Sequence, residues 1–279
     1  MKIPIVTFYE KGEIESMELH AAYPTPEHRR AADAMVEFFS TQFEIDAVLL
    51  VNSCARGKAT RDSCLDMIVL AQADTLQARR AAWQNRWEQF EQTDAALDQL
   101  RRAGKYSVAH LDFVDGVFAP EERDEAAGPD GFELGLGNFL AYGVPLWQGS
   151  DYLAQLKREW LPYYNETLRC ERLSMVRHYC LNNLHHIPLY LERGLYFQSF
   201  DRLYNAYREF LQALFISRRT YPIAYNKWIR EQIVDLLNLP ELYQRLPRLF
   251  EIKHFESPEI GAKAREVEQL LEQYAPEPD

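Results

Sequence analysis

The side chains best suited to chemistry lie in a short segment between two apolar runs. The first run covers residues 47–51, and the second, residues 64–70, carries a single acid, Asp66. A polar turn with Arg56 and Lys58 separates them. An acid within an apolar strand is costly to bury without a partner. A metal ion bound to a phosphate would be such a partner, so the segment predicts a site for both.

Other candidate side chains would lie on the same face as Asp66 or on the next strand. Side chains alternate along a strand, so Asp62, Cys64 and Asp66 would point the same way. The next predicted strand carries His110 and Asp112, which would also share one face. The sequence fixes no histidine beside Cys64, and a buried strand cysteine of this kind is typically inert packing.

The composition limits the class of protein. The chain has 279 residues, of which 47% are hydrophobic, so it can bury one large core or two ordinary ones. Its net charge of −11 argues against nucleic acid as a bulk partner. Four cysteines without a CxxC pair favour reduced thiols in a cytoplasmic protein. The chain lacks a long apolar run, so we expect neither a signal peptide nor a membrane span.

Apolar periodicity predicts alternating strands and helices up to about residue 115, which indicates a mixed α/β sheet. The predicted elements are a hairpin of strands 3–9 and 13–19 with a turn at Lys11-Gly12, a helix from Thr25-Pro26 to about Gln42, strands at 46–52, 64–71 and 106–114, and one long helix from a capping box at Asp74 to Gly104. Residues 116–132 have the composition of a loop.

From about residue 150 the pattern is helical almost to the end. The predicted helices cover residues 151–161, 166–193, 196–219, 225–238, 240–251 and 258–274. We therefore expect an α/β domain at 1–146 and an all-α helical bundle at 147–279. The tail, residues 275–279, is predicted to be disordered.

Residues 49–70 resemble the signature of the nucleotidyltransferase superfamily, whose fold is shared with DNA polymerase beta. That signature reads Gly-Ser, a basic turn containing Gly, and then Ser-Asp-hydrophobic-Asp-hydrophobic. Asn52-Ser53, Arg56-Gly57 and the segment 63–66 align with it without a gap. Two positions depart from it, because Asn52 stands where Gly is usual and Cys64 where the first metal-binding Asp is usual. The resemblance implies a nucleotidyltransferase fold followed by a helical domain.

The resemblance also implies roles for individual residues. Asp66 and Asp112 would be catalytic and would bind Mg²⁺, with Asp112 also a candidate general base. Asp62 would replace the missing acid at position 64. Asn52, Ser53, Arg56 and Lys58 would bind the phosphates of the nucleotide. Residues 215–222 and the Asn226-Lys227-Trp228 segment look like part of the aminoglycoside and lincosamide nucleotidyltransferases, which implies that Lys227 also reaches the phosphates.

The expected activity is transfer of a nucleoside monophosphate from ATP, or another nucleoside triphosphate, to a hydroxyl of a small molecule. The alternative is a catalytically impaired member that serves as a nucleotide-binding or interaction module, because Cys64 replaces an acid. A third interpretation, a minimal toxin–antitoxin enzyme acting on a macromolecule, is disfavoured by the chain length and the large helical half. The acceptor and the oligomeric state are left open by the sequence.

Overall fold

The chain forms two compact units in the computed structural model, which describes residues 3–7, 16–120, 122 and 127–278. The sheet unit consists of Met1–Ala119 and Leu136–Pro162, and the helical unit consists of Pro120–Gly135 and Tyr163–Asp279. We predicted one division at residue 146, whereas the units divide at residue 162 and the segment 120–135 joins the helical unit. The later division follows from a strand after residue 143 that pairs within the sheet.

Six strands form two sheets in the described part of the sheet unit. The strands are β1 (Ile3–Thr7), β2 (Ser16–Leu19), β3 (Ala47–Leu50), β4 (Leu65–Leu70), β5 (Ala109–Val114) and β6 (Val144–Gln148). β1 and β2 pair antiparallel, as predicted, and the turn predicted at Lys11-Gly12 lies outside the described residues. The other four strands have the order β5-β4-β3-β6. β4 is parallel to β5 and antiparallel to β3, so the predicted mixed sheet is confirmed.

β6 was missing from the sequence prediction, and its composition explains why. It contains Pro145, which lacks the N–H that a central strand donates, and none of its side chains is fully buried. Such a strand is suited only to the edge of a sheet, where β6 lies. β3 and β4 are central, and their side chains are buried except for that of Asp66.

In the described part of the chain, six helices begin or end in the sheet unit: α1 (Pro26–Ser40), α2 (Asn52–Ala55), α3 (Ala73–Thr93), α4 (Ala95–Ala103), α5 (Phe132–Tyr142) and α6 (Tyr152–Trp160). α1 begins as predicted, because Thr25 caps it through a bond from the backbone N–H of His28. Met35 and Phe39 of α1 lie fully buried in the core below the sheet.

The helix predicted from Asp74 to Gly104 is two helices. The chain leaves the helical conformation at Asp94, whose Oδ1 accepts bonds from the N–H groups of Ala96 and Leu97. Asp94 is therefore the N-cap of α4, and it separates α4 from α3, which ends at Thr93. The predicted capping box at Asp74 is also wrong, since the N-cap of α3 is Gln72, two residues earlier, and makes no side-chain cap bond.

The helical unit is confirmed as a predominantly helical assembly. It contains α7 (Glu166–Glu192), α8 (Tyr196–Ser217), α9 (Pro240–Arg245), α10 (Glu259–Tyr274), a π-helical turn at Glu231–Leu236 and a 3₁₀ turn at Pro247–Phe250. Its core lies among α7, α8 and α10. Among the described residues, no helix combines the length and apolar character that a membrane span requires.

Two predictions in the helical unit need correction. The helix expected at 225–238 begins only at residue 229 and continues into the π-helical turn. The amide of buried Gln232 binds the backbone of Ile223, Ala224 and Lys227 and holds that segment as a loop. The tail expected to be disordered is anchored by Arg177, which donates to the carbonyl of Ala275 and lies 3.2 Å from a carboxylate oxygen of Glu277. Asp279 lies outside the described residues.

Candidate metal and nucleotide site

Asp66 lies on central strand β4 with 14% of its side chain exposed. Its register partner on the parallel strand β5 is His110, and Ile68 pairs with Asp112. Residues two apart on a strand share a face, so Asp66, His110 and Asp112 point to the same side of the sheet. The structure therefore brings the two predicted catalytic acids to one face, with both side chains open to solvent to some degree.

The carboxylate of Asp66 has a polar neighbour at each of its two oxygens. The thiol of Cys64 donates to Oδ2 at 3.3 Å, and the Nδ1 atom of His110 lies 3.1 Å from Oδ1. One ligand atom from each of the three residues lies within 4.8 Å of the other two. We call these residues the Cys64–Asp66–His110 group. Among the described residues, it is the set whose donors are close enough to share a metal ion.

The part of His110 in this group was not predicted from the sequence. His110 and Asp112 were predicted to share one face, but no local spacing fixed a histidine beside Cys64. The contact arises from the register of two parallel strands, which are joined by α3 and α4 and lie far apart in sequence. If the register of β4 and β5 had been predicted, the position of His110 beside Asp66 and Cys64 would have followed from it.

The turn after β3 lies against this group. The N–H of Val51 donates to the carbonyl of Asp66 at 3.0 Å, and the next residue, Asn52, has a φ of +56°. This left-handed conformation favours glycine and is tolerated by asparagine. It explains how Asn52 can stand where the superfamily signature has Gly.

The predicted phosphate-binding side chains differ in exposure. Asn52 and Lys58 are exposed, whereas Ser53 and Arg56 are half-buried. The carbonyls of Asn52 and Ser53 accept the N–H groups of Arg56 and Lys58, which closes a compact turn. All four lie in one segment beside Asp66, and their phosphate contacts stay a prediction.

Asp62 lies in a turn rather than on β4, which begins only at Leu65. Its Oδ1 accepts the backbone N–H of Lys105 at 2.9 Å, and a Cβ placed on Gly104 would approach that oxygen to 2.7 Å. The strand alternation expected from Asp62 to Asp66 is therefore absent, because the strand starts later. Asp62 fastens the loop that leads into β5, and the structure does not bring it into the Cys64–Asp66–His110 group.

Two further residues hold the segment before β4 in place. His28 is fully buried on α1, and its Nε2 lies 2.9 Å from the carbonyl of Ser63. Cys54 is also buried and contacts the carbonyl of Cys64 through its sulfur. Burial, and then the negative charges of Asp66 and Cys64, raise the pKa of Cys54 to about 12. Cys54 is therefore a protonated thiol near neutral pH, and its sulfur contacts the backbone beside the group.

Lys227 lies in the helical unit, with an exposed side chain. Its carbonyl accepts a bond from Gln232 at 3.0 Å, so its backbone is held in the loop before the π-helical turn. The neighbouring Trp228 has a φ of +60° and is 38% exposed, so it is not a core residue. The phosphate contact expected of Lys227 stays a prediction.

The donor set bears on the expected magnesium ion. Mg²⁺ prefers oxygen ligands, whereas the Cys64–Asp66–His110 group offers one carboxylate, one sulfur and one imidazole nitrogen. Asp112 is on the same face but is not a member of the group. These residues do not fit a resident Mg²⁺ ion. Mg²⁺ that arrives bound to a triphosphate is part of the substrate, and a single carboxylate can contact it.

No protein-family model matches the chain, and no curated protein matches it. A solved structure that is similar to it is described as that of a nucleotidyltransferase-like protein from Exiguobacterium sibiricum 255-15. The similarity covers 88% of this chain and 74% of that chain, with 15% identity and a TM-score of 0.45. A similarity this distant carries no argument, so the function must be inferred from the residues of this chain.

Proposed function

We propose that the sheet unit binds a nucleoside triphosphate and that the protein transfers its nucleoside monophosphate to a hydroxyl of a small molecule. The observation that supports this proposal is the position of Asp66 and Asp112 on one face of the sheet, beside the turn that begins at Asn52. The left-handed backbone of Asn52 fits the glycine of the superfamily signature and supports the alignment of that turn.

In this reaction the acceptor oxygen attacks the α-phosphorus of the triphosphate. The bond from the α-phosphorus to the oxygen that bridges to the β-phosphorus breaks, and pyrophosphate leaves. Asp112 takes the proton of the attacking hydroxyl, because its exposed carboxylate can reach a bound acceptor. Asp66 would contact the Mg²⁺ that enters as part of the nucleotide substrate, and this contact would help to hold the nucleotide in line.

The charge of the substrate requires cations from the protein. A triphosphate placed beside two carboxylates, in a chain of net charge −11, is repelled unless basic side chains approach it. Arg56 and Lys58 supply positive charge from the turn, and the hydroxyl of Ser53 donates to a phosphate oxygen. Lys227 is the basic contribution we assign to the helical unit.

The test is calorimetric titration with ATP in the presence of Mg²⁺, together with a pyrophosphate-release assay over a panel of hydroxylated small molecules. Asp112→Asn should leave ATP affinity within about threefold and reduce release by about 10²–10⁴-fold, the usual contribution of a general base. Asp115→Asn is the matched control, because Asp115 is a nearby turn residue whose Oδ1 accepts the N–H of Val117 and whose amide would keep that bond. Loss of activity in both variants, or in neither, would contradict the role of Asp112.

A nucleotide-binding module without transfer is the second candidate. It is favoured by the thiol of Cys64, which donates to Asp66 where the superfamily has a second carboxylate. ATP binding without pyrophosphate release for any acceptor would support this candidate. Absence of ATP binding would contradict both.

A further inference from the structure

We propose that Cys64, Asp66 and His110 form a binding site for a zinc-type transition metal ion with an open fourth coordination position. This site would bind its ion without nucleotide. A thiol and an imidazole occupy a position where oxygen ligands for Mg²⁺ are expected. Sulfur, imidazole nitrogen and carboxylate oxygen are the three donors that Zn²⁺ takes in proteins.

The distances are close to those of a tetrahedral site. Zinc–ligand bonds of 2.0–2.3 Å imply separations of about 3.3 Å between nitrogen and oxygen and about 3.5 Å between sulfur and oxygen. His110 Nδ1 lies 3.1 Å from one oxygen of Asp66, and Cys64 Sγ lies 3.3 Å from the other. These contacts go to different oxygens of Asp66, and one ligand atom from each of the three residues lies within 4.8 Å of the other two. Rotation of the side chains on their fixed backbones would therefore bring the three donors to a shared ion.

The three ligands lie on a fixed frame. Asp66 and His110 are register partners on paired strands, so their backbones cannot separate without breaking the sheet. Cys64 directly precedes β4 and is held on both sides, because His28 contacts the carbonyl of Ser63 and Cys54 contacts the carbonyl of Cys64 itself. Ligands on rigid elements lose little freedom when a metal binds, which favours affinity.

Charge and exposure also fit a metal that remains reactive. A thiolate and a carboxylate neutralise a divalent ion, so its burial leaves no net charge at the group. The His110 side chain is 60% exposed, and three protein ligands leave one position for water or a substrate oxygen. Asp112 points from the same face two residues further along β5, about 6.6 Å away, a separation from which it would contact a ligand of the metal.

The test uses metal-free protein titrated with Zn²⁺ against a chromophoric chelator and with Co²⁺ by absorption spectroscopy. We expect one ion per chain, intense visible bands of tetrahedral Co²⁺ and a near-ultraviolet thiolate-to-cobalt charge-transfer band. Cys64→Ser should remove the charge-transfer band, and His110→Gln should weaken Zn²⁺ binding at least tenfold. Cys64→Asp should shift the preference away from Zn²⁺ and toward Mg²⁺, because it restores an oxygen donor.

Two controls are matched to the ligands. His185 resembles His110, since it is 62% exposed and its Nε2 lies 3.2 Å from a carboxylate oxygen of Glu268, but it belongs to no three-donor group among the described residues. Cys170 resembles Cys64, since it is also a half-buried free cysteine, and it lies on α7. His185→Gln and Cys170→Ser should bind Zn²⁺ and Co²⁺ like the unaltered protein. Circular dichroism checks that every variant is folded.

Absence of one-to-one Co²⁺ binding by the folded protein would overturn the metal site. Unchanged spectra and affinity in Cys64→Ser or His110→Gln would also overturn it, as would equal losses in the two control variants. Because all of these titrations are done without nucleotide, their failure is distinguishable from failure of the proposed transfer reaction, which the ATP titration and pyrophosphate assay decide.

Discussion

Each unit contains a cluster of charged and polar side chains, and the two clusters are built in opposite ways. The Cys64–Asp66–His110 group of the sheet unit reaches solvent and makes two polar contacts among its members. The cluster of the helical unit is buried and crowded with hydrogen bonds. We call it the Arg172 network, and it consists of Asp130, Glu133, Tyr164, Arg172 and Gln212.

Arg172 is 2% exposed and makes bonds with two acids of the network. Its guanidinium donates to Glu133 at 2.6 and 2.9 Å and to Asp130 at 2.7 Å. Gln212 donates to both of these carboxylates, and Tyr164 donates to Glu133. A buried charge must be paired and hydrogen-bonded to be tolerated, and here each acid has several donors.

This difference indicates that the Arg172 network has a structural role, whereas the Cys64–Asp66–His110 group is suited to chemistry. Most donors of the Arg172 network are committed to holding the start of α5 on α7 and α8. The atoms of the network that have no hydrogen-bond partner among the described residues, such as Nη1 of Arg172, are buried and closed to a ligand from solvent. The Cys64–Asp66–His110 group stabilises little, since its members meet near the surface, and its donors can turn to an incoming ion. The predictions below test this contrast.

The largest effect is expected when Arg172 is removed. Arg172→Met leaves Glu133 and Asp130 buried without their cation and should lower the free energy of unfolding by about 3–5 kcal/mol. Arg219→Met is the matched control in the same unit, because Arg219 is half-exposed where it pairs with Glu166 and should cost no more than about 1 kcal/mol. Chemical denaturation measures both, and equal losses would mean that the network is no more than a surface ion pair.

Acid should weaken the Arg172 network. Burial raises the pKa of Asp130, but bonds from Arg172 and Gln212 outweigh it, so the pKa lies below the usual 3.8. A lowered pKa in the folded state stabilises the protein above pH 3.8, and this contribution is lost as the pH falls through the folded-state value. Asp130→Asn should therefore be less stable than the unaltered protein by about 1.5–3 kcal/mol at pH 7.

The same pair of proteins should converge in acid. The difference in unfolding free energy should shrink steadily below pH 3.8, because the unaltered Asp130 then loses its charge as well. Denaturation measured from pH 7 down to pH 3 follows this difference. A difference that stays constant over this range would show that the charge of Asp130 is not what stabilises the network.

The contrast between the clusters also explains which parts could be predicted from sequence. Strand and helix periodicity is local, so strands β3, β4 and β5 near the candidate site and most helices of the second half could be predicted. Errors arose where one residue decides the outcome, as at Asp94, which ends α3 and caps α4, and at Gln232, whose buried amide keeps residues 223–227 out of a helix.

The candidate site shows the same limit. The predicted alternation placed Cys64 beside Asp66, and the two side chains do meet, although β4 begins only at Leu65. The shared face of His110 and Asp112 also followed from strand alternation. The approach of His110 to Asp66 depends on the pairing of two strands joined by two helices, and no local pattern encodes it. Asp62 was predicted to lie on the strand because its spacing fits, but its carboxylate accepts the backbone N–H of Lys105, next to Gly104, instead.

A nucleotide contact from the helical unit would sharpen the contrast, because it would give that unit a chemical role apart from the Arg172 network. Lys227→Ala should weaken ATP binding by about 1–3 kcal/mol, as expected for loss of a charged hydrogen bond, with little change in melting temperature. Lys253→Ala, at another exposed lysine of this unit, should bind ATP normally. Calorimetric titration compares the three proteins, and unchanged affinity in Lys227→Ala would remove Lys227 from the proposed site.

The smallest effect is expected at Asn52, where the sheet unit carries backbone strain beside its candidate site. A side chain with a Cβ disfavours the left-handed conformation by about 1–2 kcal/mol, and asparagine less so. Asn52→Ala should therefore lower the free energy of unfolding by about 1 kcal/mol, and Asn52→Gly should change it by less than about 0.5 kcal/mol.

Asn85, exposed within helix α3, provides the control. There the order should reverse, because alanine is favoured over glycine in a helix by about 1 kcal/mol. Chemical denaturation of the four variants measures the signs. The same order of Ala and Gly at both positions would mean that Asn52 carries no left-handed strain and would withdraw the main support for aligning this turn with the superfamily signature.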